Sequence, residues 1–136
     1  LGGSEYVAEA CQEKLTELGH QVELHLQPKF DEISNENQTW LVCTSTHGAG
    51  DYPDNIQTFA ADLAKSDQDL SSTKLITIGL GDSSYDTFCH AAINITNTLI
   101  SKGCVKLAES KLLDMSLELD PEEAASEWIE EINDRL

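Results

Sequence analysis

The stretch Trp40-Leu41-Val42-Cys43-Thr44-Ser45-Thr46-His47-Gly48-Ala49-Gly50-Asp51-Tyr52-Pro53-Asp54-Asn55 decides the fold. Its first four residues form an apolar run that reads as a buried strand. Ile56 to Ala64 reads as a helix that starts near Pro53, because proline suits a first helical turn. Between the two lies a loop of small and hydroxyl residues, so a strand passes through a loop directly into a helix. In open α/β sheets, ligands sit in the crevice at the carboxyl ends of strands. Gly48 and Gly50 let the backbone come close to a flat ligand with no side chain in the way.

Working outward, the same arrangement recurs. Lys74-Leu75-Ile76-Thr77-Ile78 is a second strand, rich in β-branched residues, and it runs into Gly79-Leu80-Gly81-Asp82-Ser83-Ser84-Tyr85-Asp86-Thr87-Phe88-Cys89. At the amino terminus, Leu1-Gly2-Gly3-Ser4-Glu5 opens a helix from about Ser4 to Leu18, with Val7, Ala10, Cys11, Leu15 and Leu18 on one face and Gly19 as its stop. A glycine pair and a hydroxyl at a helix start form an anion cradle, since the free N–H groups and the helix dipole favour phosphate. Gln21 to Leu26 alternates as a strand should, and Pro28 ends it. A helix is expected over about Phe88 to Lys102. Val105–Leu107 and Lys111–Met115 read as one irregular last strand, with a bend at Glu109-Ser110. Asp120-Pro121-Glu122-Glu123 is a helix start with cap, proline and a glutamate three residues after the cap. Ala125, Trp128, Ile129, Ile132 and Leu136 then form an apolar stripe. Strands alternating with helices give the α/β class with a parallel sheet.

The 136 residues suit one domain, 1–136, and 40% apolar content is ordinary for a globular chain. No run approaches the roughly 20 apolar residues that span a bilayer. Cys11, Cys43, Cys89 and Cys104 are widely spaced, with no Cys-x-x-Cys pair. They read as reduced thiols of a cytoplasmic protein, without a zinc or thioredoxin-type signature. The net charge of −17, from 25 acidic and 8 basic residues, argues against nucleic acid and anionic membrane. It favours basic protein partners found by electrostatic steering. A phosphate cradle and two loops able to hold a planar ring together suggest a phosphorylated aromatic cofactor.

Ser45-Thr46-His47-Gly48-Ala49-Gly50-Asp51 with Pro53-Asp54-Asn55 resembles the first ring loop of short, MioC-type flavodoxins, and Gly79 to Tyr85 with Phe88-Cys89 resembles the second ring loop of flavodoxins in general. The resemblance covers essentially the whole chain in element order. It implies a flavodoxin-like three-layer sandwich, with a parallel five-stranded sheet in the order 2-1-3-4-5 and helices on both faces. It makes FMN the cofactor, held noncovalently. Gly2, Gly3 and Ser4 match the end of the phosphate loop. Ser45, Thr46, His47, Gly48, Ala49, Gly50 and Asp51 match one wall of the ring site. His47 stands where many flavodoxins place an aromatic ring, and Gly48 matches the glycine whose carbonyl can turn toward flavin N5. Tyr85 matches the tyrosine stacked on the outer face. Asp82, Thr87 and Cys89 match positions that bind the pyrimidine edge through backbone groups, Gly81 belongs with them among the cofactor-binding residues, and Phe88 stands beside them with a place in the core as its expected role. Asp54 and Asn55 are read as helix-start residues.

In such a protein the flavin carries the redox chemistry and the chain supplies orientation and electrostatics. The acidic shell would disfavour added negative charge on the ring and lower its potential, and His47 would make that potential depend on pH. The implied function is a one-electron carrier, not an enzyme with its own turnover. Its implied donor is of the flavodoxin/ferredoxin NADP reductase type, and its acceptor is a redox enzyme, with biotin synthase the acceptor linked to MioC-type relatives. A monomer is expected. The alternative is a flavin-dependent NAD(P)H or quinone reductase of the same fold, which needs room over the flavin that Tyr85 and His47 would fill. A phospho-acceptor signalling module would need an aspartate at the end of the middle strand, where Cys43-Thr44 stand. A cofactor-free interaction domain is a further reading. The chain opens at Leu1 inside what the resemblance makes the phosphate loop. A strand and the start of that loop, about ten residues, are therefore expected before it, because a sheet without that strand would leave edges unpaired.

Overall fold

The computed structural model describes residues 3–46, 50–117 and 119–136. Helix α1 spans Gly3–Glu17, strand β1 Gln38–Ser45, helix α2 Asp54–Lys65 and strand β2 Thr73–Gly81. Helix α3 spans His90–Ser101, strands β3 and β4 cover Val105–Lys106 and Lys111–Asp114, and helix α4 covers Pro121–Ile132. These bounds follow the sequence signals closely. The Asp120 side chain caps α4 by accepting from the Glu122 and Glu123 amides, with Pro121 in the first turn. That satisfies donors a helix start leaves free.

The sheet is parallel throughout. β1 pairs with β2 from Gln38↔Thr73 to Ser45↔Leu80. On its other edge β2 pairs first with β3, at Lys74↔Val105, and then with β4, from Ile78↔Lys111 to Gly81↔Asp114. β3 and β4 are thus two pieces flanking one strand, as expected of a single irregular last strand.

Two expectations need correction. The described residues form four strands with β2 at the centre, not five in the order 2-1-3-4-5. Gln21 to Leu26 is not a strand, although Val22 and Leu24 are half-buried and Gln21, Glu23 and His25 are exposed, as the alternation predicts. The physical reason is pairing. A strand needs a partner, and among the described residues nothing lies beside this segment to complete a ladder. It is held instead by side chains, with Asn55 Nδ2 donating to the Leu26 carbonyl at 2.9 Å.

Helices cover both faces of β2, giving three layers. On one face Ile76, Ile78 and Leu80 pack with Val7 and Cys11 of α1 and with Ala125, Trp128, Ile129 and Ile132 of α4. On the other, Leu75 packs with Phe59 and Leu63 of α2 and with Ile95 and Leu99 of α3. That second face also buries two threonine hydroxyls, which satisfy one another: Thr96 Oγ1 donates to Thr77 Oγ1 at 2.8 Å. α3 presses closest at Gly79, where an added Cβ would lie 2.6 Å from the Ala92 Cβ. Gly79→Ala therefore overpacks this contact and should cost about 1–3 kcal/mol. The expected readout is a lower urea midpoint with an unchanged slope. A midpoint equal to that of the parent would show that α3 does not seat this closely.

Candidate functional site

Both ring-loop candidates leave the sheet at the carboxyl ends of neighbouring strands, so they meet in space. A cleft of ≈ 510 Å³ opens there, lined by Gly3, Ser45, Thr46, Leu80, Gly81, Asp82, Tyr85, Thr87, Phe88, Cys89 and Met115. The start of α1, the end of β1 and the loop after β2 thus converge, as the sequence leads one to expect. Tyr85 stands at the rim with 67% of its surface exposed, while Cys89 is fully buried in the wall.

The wall is built by short-range constraints. Gly81 faces the backbone of the chain as it returns: an added Cβ would lie 2.8 Å from the Cys89 amide nitrogen and 3.0 Å from its Sγ. Cys89 itself has φ +54°, a left-handed conformation that costs a non-glycine residue roughly 1–2 kcal/mol. It also precedes α3 as a cap residue with no capping side-chain bond. Thr46 supplies that bond from the other loop, its Oγ1 accepting the Ala91 amide at 2.9 Å. One hydroxyl therefore ties the start of the loop after β1 to the first turn of α3. In the second loop, Asp82 Oδ1 accepts from the Ser84 amide at 2.9 Å and from its hydroxyl at 2.6 Å, which sets the turn carrying Tyr85.

Not every expected residue reaches the cleft. Ser4 is buried in the first turn of α1, its carbonyl 3.5 Å from Cys43 Sγ. Gly50 packs on His90 and Thr87, and Asp51 is exposed; neither lines the cleft. Phe88 does line it, so its place is the wall as well as the packing beneath Gly81. Gly2, His47, Gly48 and Ala49 lie outside the described residues. Asp54 begins α2, and Asn55 follows it with its bond to Leu26, which agrees with their reading as helix-start residues. Leu80 and Met115 are lining residues the sequence did not mark. Met115 follows β4, and the rule that ligands sit at the carboxyl ends of strands was a signal for it.

The cleft suits a flat ligand with an anionic end. Its polar lining residues are Ser45, Thr46, Asp82 and Thr87 with the exposed backbone, its apolar walls are Leu80, Phe88, Met115 and the Tyr85 ring, and Gly3, where α1 begins with its free amides, lies in its lining. Among the described residues, no group of three metal-binding side chains gathers, and no helix is long and apolar enough to cross a membrane.

Comparison with known proteins places this geometry. Residues 1–128 match the Flavodoxin family profile. A MioC homolog from Pasteurella multocida is 43% identical over 136 residues, covering 100% of this chain and 92% of that protein. MioC of Escherichia coli K12 is 39% identical over 129 residues, covering 95% of this chain and 87% of that protein. Among solved structures, a cysteine-to-serine variant of flavodoxin from Pseudomonas aeruginosa superposes with a TM-score of 0.89 at 29% identity, over 99% of this chain and 91% of that one.

Two chemical consequences follow from the wall. Burial first, and the Asp114 carboxylate second, push the Cys89 thiol up to about 11. Burial alone pushes Cys104 to about 11 and Cys11 to about 12. The thiolate is the nucleophile, so iodoacetamide at about pH 8 should label these sites in the folded protein far more slowly than in urea, read by mass spectrometry. Rapid labelling of Cys89 in the folded protein would show that the wall is open. Asp114 shifts the other way: the Ser83 hydroxyl first, then the Ser116 hydroxyl and the two amides, hold its carboxyl well below the usual range. A pKa lowered by folding contributes stability in full above the unfolded value and loses it progressively as pH falls from the unfolded value through the folded one. The Asp114 carboxyl carbon should therefore stay ionised by NMR from about pH 6 to about pH 3, where exposed carboxylates titrate. A midpoint near the ordinary aspartate value would remove these bonds.

Proposed function

The chain belongs to the flavodoxin family, and we propose that it is a one-electron carrier between a reductase of the flavodoxin/ferredoxin NADP reductase type and a redox acceptor enzyme. The family's cofactor is FMN, which when bound supplies the redox chemistry. The chain's residues do the rest. The first turn of α1, from Gly3 and Ser4, offers amides to the phosphate end. Gly81, Asp82, Thr87 and Cys89 present a wall of backbone groups to the ring edge, and Gly81 keeps that wall free of a Cβ. The Tyr85 ring covers the outer face and excludes water from it. Gly2, His47, Gly48 and Ala49 complete the site in this reading, together with Ser45, Thr46, Gly50 and Asp51.

The observation that carries the reading is the cleft itself. An exposed aromatic ring, a Cβ-free strand end and a helix start form one concave surface. The −17 charge supports basic partners met by steering, in a monomer that works in the cytoplasm and binds neither nucleic acid nor membrane. Biotin synthase is the acceptor proposed from the likeness to MioC proteins.

FMN titration, followed by flavin fluorescence and the visible spectrum, tests the site. Saturable quenching is expected, with Tyr85→Ala binding about tenfold more weakly through lost stacking and burial. Purified protein with FMN should not oxidise NADPH alone, but should pass electrons to cytochrome c once a flavodoxin reductase is added. Absence of binding would leave an interaction domain, and steady NADPH oxidation by the protein alone would make it a reductase.

A further inference from the structure

We propose that Asp114 is a positioning residue for the cofactor cleft, holding the turn that carries Tyr85 against the loop that carries Met115. The proposal rests on the flavin-carrier reading and adds a residue to it. Asp114 ends β4 directly opposite Gly81, and the Met115 amide donates to the Gly81 carbonyl at 2.7 Å. Its Oδ1 then accepts three bonds: from the Ser83 amide at 3.1 Å, the Ser116 amide at 3.0 Å and the Ser116 hydroxyl at 2.7 Å. The Ser83 and Ser116 hydroxyls lie 3.3 Å apart and close the bridge. One carboxylate thus joins the two loops that supply Gly81, Asp82, Tyr85 and Met115 to the cleft, without lining the cleft itself.

This bond set has few competitors. Ser83, Ser84, Tyr85, Asp86, Met115, Ser116 and Leu117 are all exposed, so little apolar burial fixes either loop. Segments with few buried contacts open locally at small cost. Bonds to an ionised acceptor are about twice as strong as neutral ones. Among the described residues, no lysine, arginine or histidine pairs with Asp114. Its partners are neutral donors in fixed directions, which is the arrangement for setting geometry.

Asp114→Ala and Asp114→Asn separate geometry from charge, because asparagine keeps an Oδ1 acceptor for the three bonds. In the FMN-free protein, Asp114→Ala should speed hydrogen exchange at the Ser83 and Ser116 amides by about tenfold, while Asp114→Asn stays within about threefold of the parent. With FMN, Asp114→Ala should bind about tenfold more weakly. At saturation its bound flavin should show an altered visible circular dichroism band, which a loss of global stability alone would not produce. Asp114→Asn should restore both. Unchanged exchange, affinity and band in Asp114→Ala would overturn the proposal. So would an Asp114→Asn variant as impaired as Asp114→Ala, which would assign the effect to charge. If Asp114→Ala fails to fold, Ser116→Ala, which removes one of the three bonds, should give intermediate exchange at Ser83, and parental exchange there would count against the bridge. If the parent itself binds no FMN, the carrier reading falls, whereas the exchange rates still decide whether Asp114 holds the loops.

Discussion

Everything in this molecule depends on β2 being buried on both faces. From Thr73 to Leu80 only Lys74 is exposed. A strand covered on both sides must be apolar or self-satisfied along its length, and here apolar residues alternate across the faces with the paired hydroxyls of Thr77 and Thr96. The absence of a side chain at Gly79 then lets α3 come down onto the strand. Because α3 sits so close, its leading residue Cys89 is forced over Gly81 two positions later, and the chain has no room there for a Cβ. The cleft wall is thus a consequence of core packing, carried to the carboxyl end of the strand. The left-handed Cys89 is where the helix is made to start on time.

Much of this was legible in the sequence, for local reasons. The strands at Trp40–Cys43 and Lys74–Ile78 and the cap at Asp120-Pro121 are written in contiguous residues, and each is found where it was expected. The lining that the loop after β2 gives the cleft was legible too, because Gly81, Asp82, Tyr85, Thr87 and Cys89 lie within one stretch. What could not be read locally was pairing. Gln21 to His25 keeps an alternating pattern of exposure yet is no strand, since a strand is defined by a neighbour and not by its own pattern. The same limit hid part of the site. Leu80 looks like any core residue of β2, and nothing around Met115 marks it. Only the register Gly81↔Asp114 brings the β4 loop to the cleft, and that register is a property of the sheet.

The charge of the chain sets one more division of labour. A strongly acidic protein whose cofactor carries a phosphate must hold an anion against its own field. Among the described residues that line the cleft, none is lysine or arginine. In the proposed carrier, the described groups placed to attract the phosphate are neutral donors, the amides at the start of α1 and the loop hydroxyls, which act only at hydrogen-bond range. The repulsion comes from carboxylates spread over the surface, and at physiological salt it fades beyond a Debye length of about 8 Å. In the proposed carrier, cofactor affinity would therefore follow from how well a few loop atoms are positioned. In the proposed carrier, partner association would follow the long-range field and its screening. The two can be tuned separately: surface acids can change to suit a partner without disturbing the cleft, provided that the few polar side chains holding its loops, such as Thr46, Asp82 and Asp114, stay in place.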